Sequence, residues 1–178
     1  MNDYKAETMS PNCATQDRIR NGADVANMPI VTKNEIVVDT VQSLRYRILY
    51  LPADNCGKGY WLPLDTATNI PKSFDLSLLR EQLMIGTMEK SVDDSSVILD
   101  EELSEKGIAR RDRAWGLISN IVTFEPDIYD NSSRAELLRS VETSSGVRMN
   151  NLYGYLGRYW RSGCQRNALA PDYRKCGG

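Results

Sequence analysis

Residues 133–161 read SRAELLRSVETSSGVRMNNLYGYLGRYWR, and their periodicity decides how the second half of the chain folds. Ser133-x-x-Glu136 has the spacing of a capping box, so a helix is expected to begin at Ser133. Leu137, Leu138 and Val141 supply its apolar face. Thr143-Ser144-Ser145-Gly146 breaks it, with Gly146 suited to the left-handed conformation that reverses a chain. A second helix is expected over 148–161, with Leu152, Tyr155, Leu156 and Tyr159 turned inward. Upstream, Trp115, Ile118 and Val122 recur by three and four, which predicts a helix over 109–122 that Pro126 cannot continue. Three helices thus fit residues 108–162.

Helix, short glycine turn, helix with a basic outer face is the pattern of a helix-turn-helix. A recognition helix must fit a major groove about 12 Å wide and aim its first side chains at base edges. Arg148, Asn150 and Asn151 stand where that geometry needs them, because arginine pairs bidentately with guanine and asparagine with adenine. Arg158 and Arg161, farther along, suit phosphates, as do Arg110, Arg111 and Arg113 at the start of the first helix. The aromatic cluster Tyr153, Tyr155, Tyr159 and Trp160 reads as core, with Tyr153 alone assigned to DNA, while Met149 is groove-facing or neutral. Gly154 and Gly157 inside the helix should each cost about 0.8–1.0 kcal/mol relative to alanine. Either a large neighbour approaches closely there or the chain tolerates a weak helix.

The first half reads differently. Residues 1–29 are polar and aperiodic, expected to be disordered or extended. Residues 35–39 (EIVVD), 44–51 (LRYRILYL) and 60–64 (YWLPL) read as strands, with a hairpin turn at 54–59 (DNCGKG). In the second strand Leu44, Tyr46, Ile48 and Tyr50 alternate with Arg45, Arg47, Leu49 and Leu51. A helix over 73–84 carries Leu76, Leu79 and Leu83 on one face, with Ser73 or Asp75 as its cap. The expected class is α+β. A small barrel-like β-module with one helix (30–90) precedes an acidic linker (91–106), a three-helix domain (107–162) and a basic tail (163–178).

Bulk composition narrows the function. The 26% charged and 41% apolar content is globular. Residues 106–178 hold twelve Lys/Arg against seven Asp/Glu, a balance of +5, whereas residues 1–105 hold ten against seventeen, or −7. A basic half joined to an acidic half suggests that the basic half meets a polyanion. The chain has no histidine, which removes Ser-His and Cys-His catalysis and the commonest general base. Cys13, Cys56, Cys164 and Cys176 lie far apart without a CxxC pair, so no metal site is expected and the thiols read as reduced. With no apolar run of eighteen residues and no leader pattern, a cytoplasmic protein, associated with the nucleoid, is expected.

The end of the chain, YGYLGRYWRSGCQRNALAPDYRKCGG over 153–178, resembles the segment that follows the helix-turn-helix in TnsB-type transposases, which are Mu-like DDE recombinases. The resemblance rests on YxYLxRYWxxG (Tyr153 to Gly163), Asn167-Ala168-Leu169 and Pro171-Asp172-Tyr173. Farther upstream it takes in Arg111-Asp112-Arg113-Ala114-Trp115, Tyr129-Asp130 and Arg134-x-x-Leu137, and the strand-rich module is similar to the small domain those proteins place first. It implies sequence-specific binding to repeated sites at transposon ends. It also implies a continuation into an RNase H-like catalytic domain using Mg, expected to be absent here, so that this part binds DNA without cutting it and needs no cofactor. The implied partners are transposon-end DNA, a separate strand-cleaving subunit and an ATPase regulator. In the family the segment after the third helix tracks along DNA, which suits Arg161, Arg166, Arg174 and Lys175 as backbone contacts, and Arg134 is grouped with them. Two positions depart from the pattern. The recognition helix starts with Arg148-Met149-Asn150-Asn151 where the family has a Ser cap followed by lysines, and Glu142 replaces a small residue. The residues alone also fit a helix-turn-helix transcriptional regulator, or a protein-interaction module of a recombination complex.

Overall fold

The computed structural model describes residues 28–54, 57–92 and 98–171. Five strands form one antiparallel sheet in the order β4-β3-β2-β1-β5. They are β1 (Ile36–Asp39), β2 (Leu44–Tyr50), β3 (Lys58–Pro63), β4 (Lys72–Asp75) and β5 (Met88–Ser91). β4 and β5 are the edges, and no ladder joins them among the described residues, so the sheet is open where a barrel-like module was expected. Helix α1 (Leu76–Met84) lies between β4 and β5, and the Asp75 carboxylate accepts from the Leu78 amide at 3.0 Å to cap it. The α+β class follows from this sheet and the helices α2 (Glu105–Ile118), α3 (Asn131–Ser145) and α4 (Met149–Arg161).

The alternation of β2 holds only as far as Ile48. Tyr46 and Ile48 face the α1 side with Val37, Phe74, Leu76 and Leu79. A register shift between Ile48 and Tyr50 then turns both Leu49 and Tyr50 toward the other side. On the α1 side Tyr46, Trp61 and Phe74 stack across three strands at centroid spacings of 4.4 and 4.6 Å. Gly59 is required opposite Phe74, since a Cβ there would stand 2.5 Å from the ring.

The other side of the sheet carries the helical half. Leu49, Tyr60 and Leu62 enter one continuous core with Ile118, Ile128, Leu138, Leu152, Leu156 and Trp160. Tyr50, Tyr60, Tyr129 and Trp160 bridge the two halves at centroid distances from 5.7 to 6.4 Å. Sheet and helices therefore stabilise each other through shared apolar burial.

Helix boundaries differ from the periodicity in instructive ways. α2 begins at Glu105, because Ser104 accepts from the Gly107 amide at 3.2 Å and caps it. α3 begins at Asn131, ahead of the expected Ser133. Its cap is Asp130, whose carboxylate accepts from the Ser132 and Ser133 amides at 2.9 and 3.2 Å. Gly146 closes α3 at φ +69°, donating to Glu142 O at 2.8 Å, and the chain reverses directly into α4. From residue 98 the acidic stretch read as linker is docked: Asn167 donates to Ile98 O at 2.8 Å and to Asp100 at 2.7 Å.

Candidate nucleic-acid interface

α4 is buried along Leu152, Leu156 and Trp160. Its remaining surface divides along its length. In the N-terminal half Arg148, Asn150 and Asn151 are exposed, and one turn onward Gly154 and Arg158 continue the outward arc at i+4 and i+8 from Asn150. The start of α4 has no capping side chain of its own. Instead the Glu142 carboxylate of α3 accepts from the Met149 amide at 3.0 Å. The two departures from the family pattern therefore compensate, with Glu142 doing for α4 what a serine cap would do. Met149 itself packs against the core and does not face a groove.

A groove of about 770 Å³ runs between this half of α4 and α2. Arg110 and Arg113 line it from α2, Arg148, Asn150, Asn151, Tyr155 and Arg158 from the other side, and Leu117, Val147 and Pro171 form apolar patches. None of the described lining residues is Asp or Glu. The Arg158 guanidinium lies over the Tyr155 ring at 5.3 Å, which keeps it extended along the groove. Tyr155 packs against the core as expected and also forms a wall of the groove. A second concavity, about 530 Å³, lies on the opposite flank of α4 and is lined by Asn69, Ile70, Asn131, Arg134, Asn150, Tyr153 and Gly154. Asn150 borders both.

Three arginines expected at the DNA backbone have structural partners. Arg134 is 2% exposed and donates to Tyr129 O at 3.0 Å and to Asn131 Oδ1, tying down the turn before α3. Burial draws its pKa down, and the Tyr153 ring lies 5.9 Å from its guanidinium. Arg111 is buried as well, donating to Asp112 at 2.7 Å, Asp100 at 2.9 Å and Asn167 at 2.7 Å. Hydrogen bonds from Asn167 and Arg111 hold the Asp100 carboxyl below its ordinary range, and those from Arg111 and Arg166 do the same for Asp112.

Arg161 is the third. Its guanidinium donates to Leu64 O (2.7 Å), Thr66 O (2.6 Å), Thr68 O (2.8 Å) and Asn69 Oδ1 (3.0 Å), all on the loop between β3 and β4. A phosphate would have to displace that whole set. Gly157, one turn earlier on the same side, is explained by the same loop, since a Cβ there would stand 2.1 Å from Asn69 Cγ. Arg166 is exposed but donates to Asp112 at 2.7 Å. Arg174 and Lys175 lie outside the described residues.

The sequence reading missed the loop residues Asn69 and Ile70 and the Glu142 cap. One signal for the loop was available: Gly157 and Arg161 sit at i and i+4, so a small residue beside a long donor marks a stripe that something covers. Among the described residues no group of three Cys, Asp or Glu side chains could hold a metal ion. Nor is any described helix long and apolar enough to cross a membrane.

Residues 111–173 match the family described as the TnsB second domain. The chain is also similar to the transposon Tn7 transposition protein TnsB of Escherichia coli, 32% identical over 135 residues, which make up 74% of this chain and 18% of that protein. It thus spans less than a fifth of that relative's length. The aligned length exceeds the helical segment alone, so the likeness reaches into the rest of the chain. Together these matches place the chain in the TnsB family, and every described residue lining the groove except Arg110 falls within the second-domain match.

Proposed function

We propose that this chain binds duplex DNA sequence-specifically, with α3 and α4 acting as a helix-turn-helix, and that its targets are the repeats at the ends of a transposon. The observation that carries this reading is the groove itself. Arg110, Arg113, Arg148 and Arg158 line it, none of its described lining residues is Asp or Glu, and the exposed first turns of the adjoining helix present two amides. Arg148, Asn150 and Asn151 read base edges, and Tyr153 borders the opposite flank. Arg110, Arg113 and Arg158 hold phosphates and set register. The role of this chain is binding, and the resemblance to TnsB-type transposases assigns DNA integration to an RNase H-like, Mg-dependent domain. Binding itself needs no cofactor. A strand-cleaving subunit and an ATPase regulator are the protein partners this reading assigns, and the cytoplasm, at the nucleoid, is its compartment.

The test has two parts. Duplex affinity should fall steeply with salt, and Arg158→Ala should flatten the log–log slope by about 0.9 while weakening all duplexes alike. Asn151→Ala should instead relax preference, losing about 1–3 kcal/mol of discrimination at one base pair. Footprints of several spaced, same-orientation sites at an element's end fit this reading, whereas one palindrome would favour an operator-binding regulator. A salt-independent association, or none, overturns DNA binding altogether.

A further inference from the structure

The geometry points to Gly154 as the place where a DNA strand packs directly on α4, in a trough whose opposite wall is the β3–β4 loop of the sheet module. This rests on the reading of α4 as the recognition helix. α4 contains two interior glycines, and a glycine there weakens a helix unless something needs the space. Gly157 has its reason within the chain, because Asn69 fills the space a side chain would take. Gly154 has none: apart from its chain neighbours and the backbone of its own helix, no described heavy atom lies within 4 Å of where a Cβ would stand. It lies between Asn150 and Arg158 on the outward arc and lines the second concavity.

A helix of about 10–12 Å diameter fills a major groove about 12 Å wide, so a strand must pass on each flank. The arginine-lined groove takes one strand. The other meets Asn131, Asn150, Tyr153 and Gly154, with Asn69 and Ile70 facing them from the loop. Arg161 clamps that loop through three carbonyls and the Asn69 amide oxygen, so the wall is preorganised. Among the described residues lining this concavity the one cation is Arg134, which is buried and bonded to backbone carbonyls. The second strand is therefore held by close packing and neutral hydrogen bonds, and the sheet module takes part in binding.

The experiment uses the full chain and a duplex recovered with it from a random-sequence pool. Gly154→Ala should raise Tm by about 2–4 °C yet bind that duplex at least about tenfold more weakly. Gly116→Ala is the control. Gly116 is another open helix glycine, outside both concavities, so its variant should raise Tm and bind as wild type does. Ile70 is 45% exposed, so a charged replacement can keep its head group in water. Ile70→Lys should steepen the log–log salt slope by about 0.9, and Ile70→Glu should weaken binding. Wild-type affinity for Gly154→Ala, or an unchanged slope for Ile70→Lys, overturns the proposal. Arg158→Ala on the same duplex separates the two levels. If it flattens the slope while the Gly154 and Ile70 variants do nothing, only this inference falls. If no duplex is recovered, or Arg158→Ala leaves the slope unchanged, the reading of α4 falls first.

Discussion

The two halves of α4 use the same residue types for opposite purposes. Toward its start, arginine, asparagine and glycine face outward over two concavities. Toward its end, Gly157 and Arg161 are covered by the loop between β3 and β4, far upstream in the chain. An arginine on a recognition helix is therefore a ligand-binding group only if the fold leaves it free. Here Arg158 stays exposed beside the Tyr155 ring, and Arg161, three positions on, fastens the helix to the sheet.

The sharpest way to break that contrast is to exchange the two arginines for alanine. Arg161→Ala leaves three loop carbonyls and an amide oxygen without their donor, so a stability loss of about 2–3 kcal/mol is expected in urea unfolding. Arg158→Ala, whose side chain is exposed, should stay within about 0.5 kcal/mol of wild type. Equal stability losses would mean that the loop does not hold the helix. A smaller effect comes from the covered glycine. Gly157→Ala forces Asn69 aside and disturbs its bond from Arg161, and overpacking of this kind costs about 1–3 kcal/mol. A neutral Gly157→Ala would show that Asn69 moves freely.

The smallest effect separates the caps of the two helices. Hydrogen bonds from Ser132 and Ser133 hold the Asp130 pKa at about 2, below the unfolded value of about 3.9. A depressed carboxyl contributes stability that is present above the unfolded pKa and is lost as pH falls through the folded one. The difference between wild type and Asp130→Ala should accordingly be largest near neutrality and shrink between about pH 4 and pH 2. A difference independent of pH would show that the Asp130 charge does not matter at the cap.

Much of the fold was legible because its signals are local. Gly146 takes the left-handed conformation that the turn required, and Leu152 and Leu156 lie on the buried face of α4 as their spacing indicated. β4 and β5 were not legible. KSFD and MEKS are four-residue segments whose pairing partners, not their own pattern, make them strands. The bulge after Ile48 was equally hidden, since nothing in LRYRILYL distinguishes a continued alternation from a switch of sides. For the candidate site, Arg148, Asn150 and Asn151 were chosen by position on a helix, and the fold leaves all three exposed. Arg111, Arg134 and Arg161 were assigned by charge, which says nothing about the carbonyls and carboxylates that meet them. Tyr155 packs against the core as its spacing indicated, and what the spacing did not show is that its ring, with Arg158 beside it, also borders the groove.

The core that Leu49, Tyr60 and Leu62 share with the helices has a thermodynamic corollary. Where two layers have no apolar surface to part along, whatever binds one of them stabilises both. Ligand occupancy at α4 should then slow amide exchange in strands such as β1, far from any contact with it, by the same linkage that raises the unfolding free energy of the whole. The sheet becomes a remote reporter of what the helix holds.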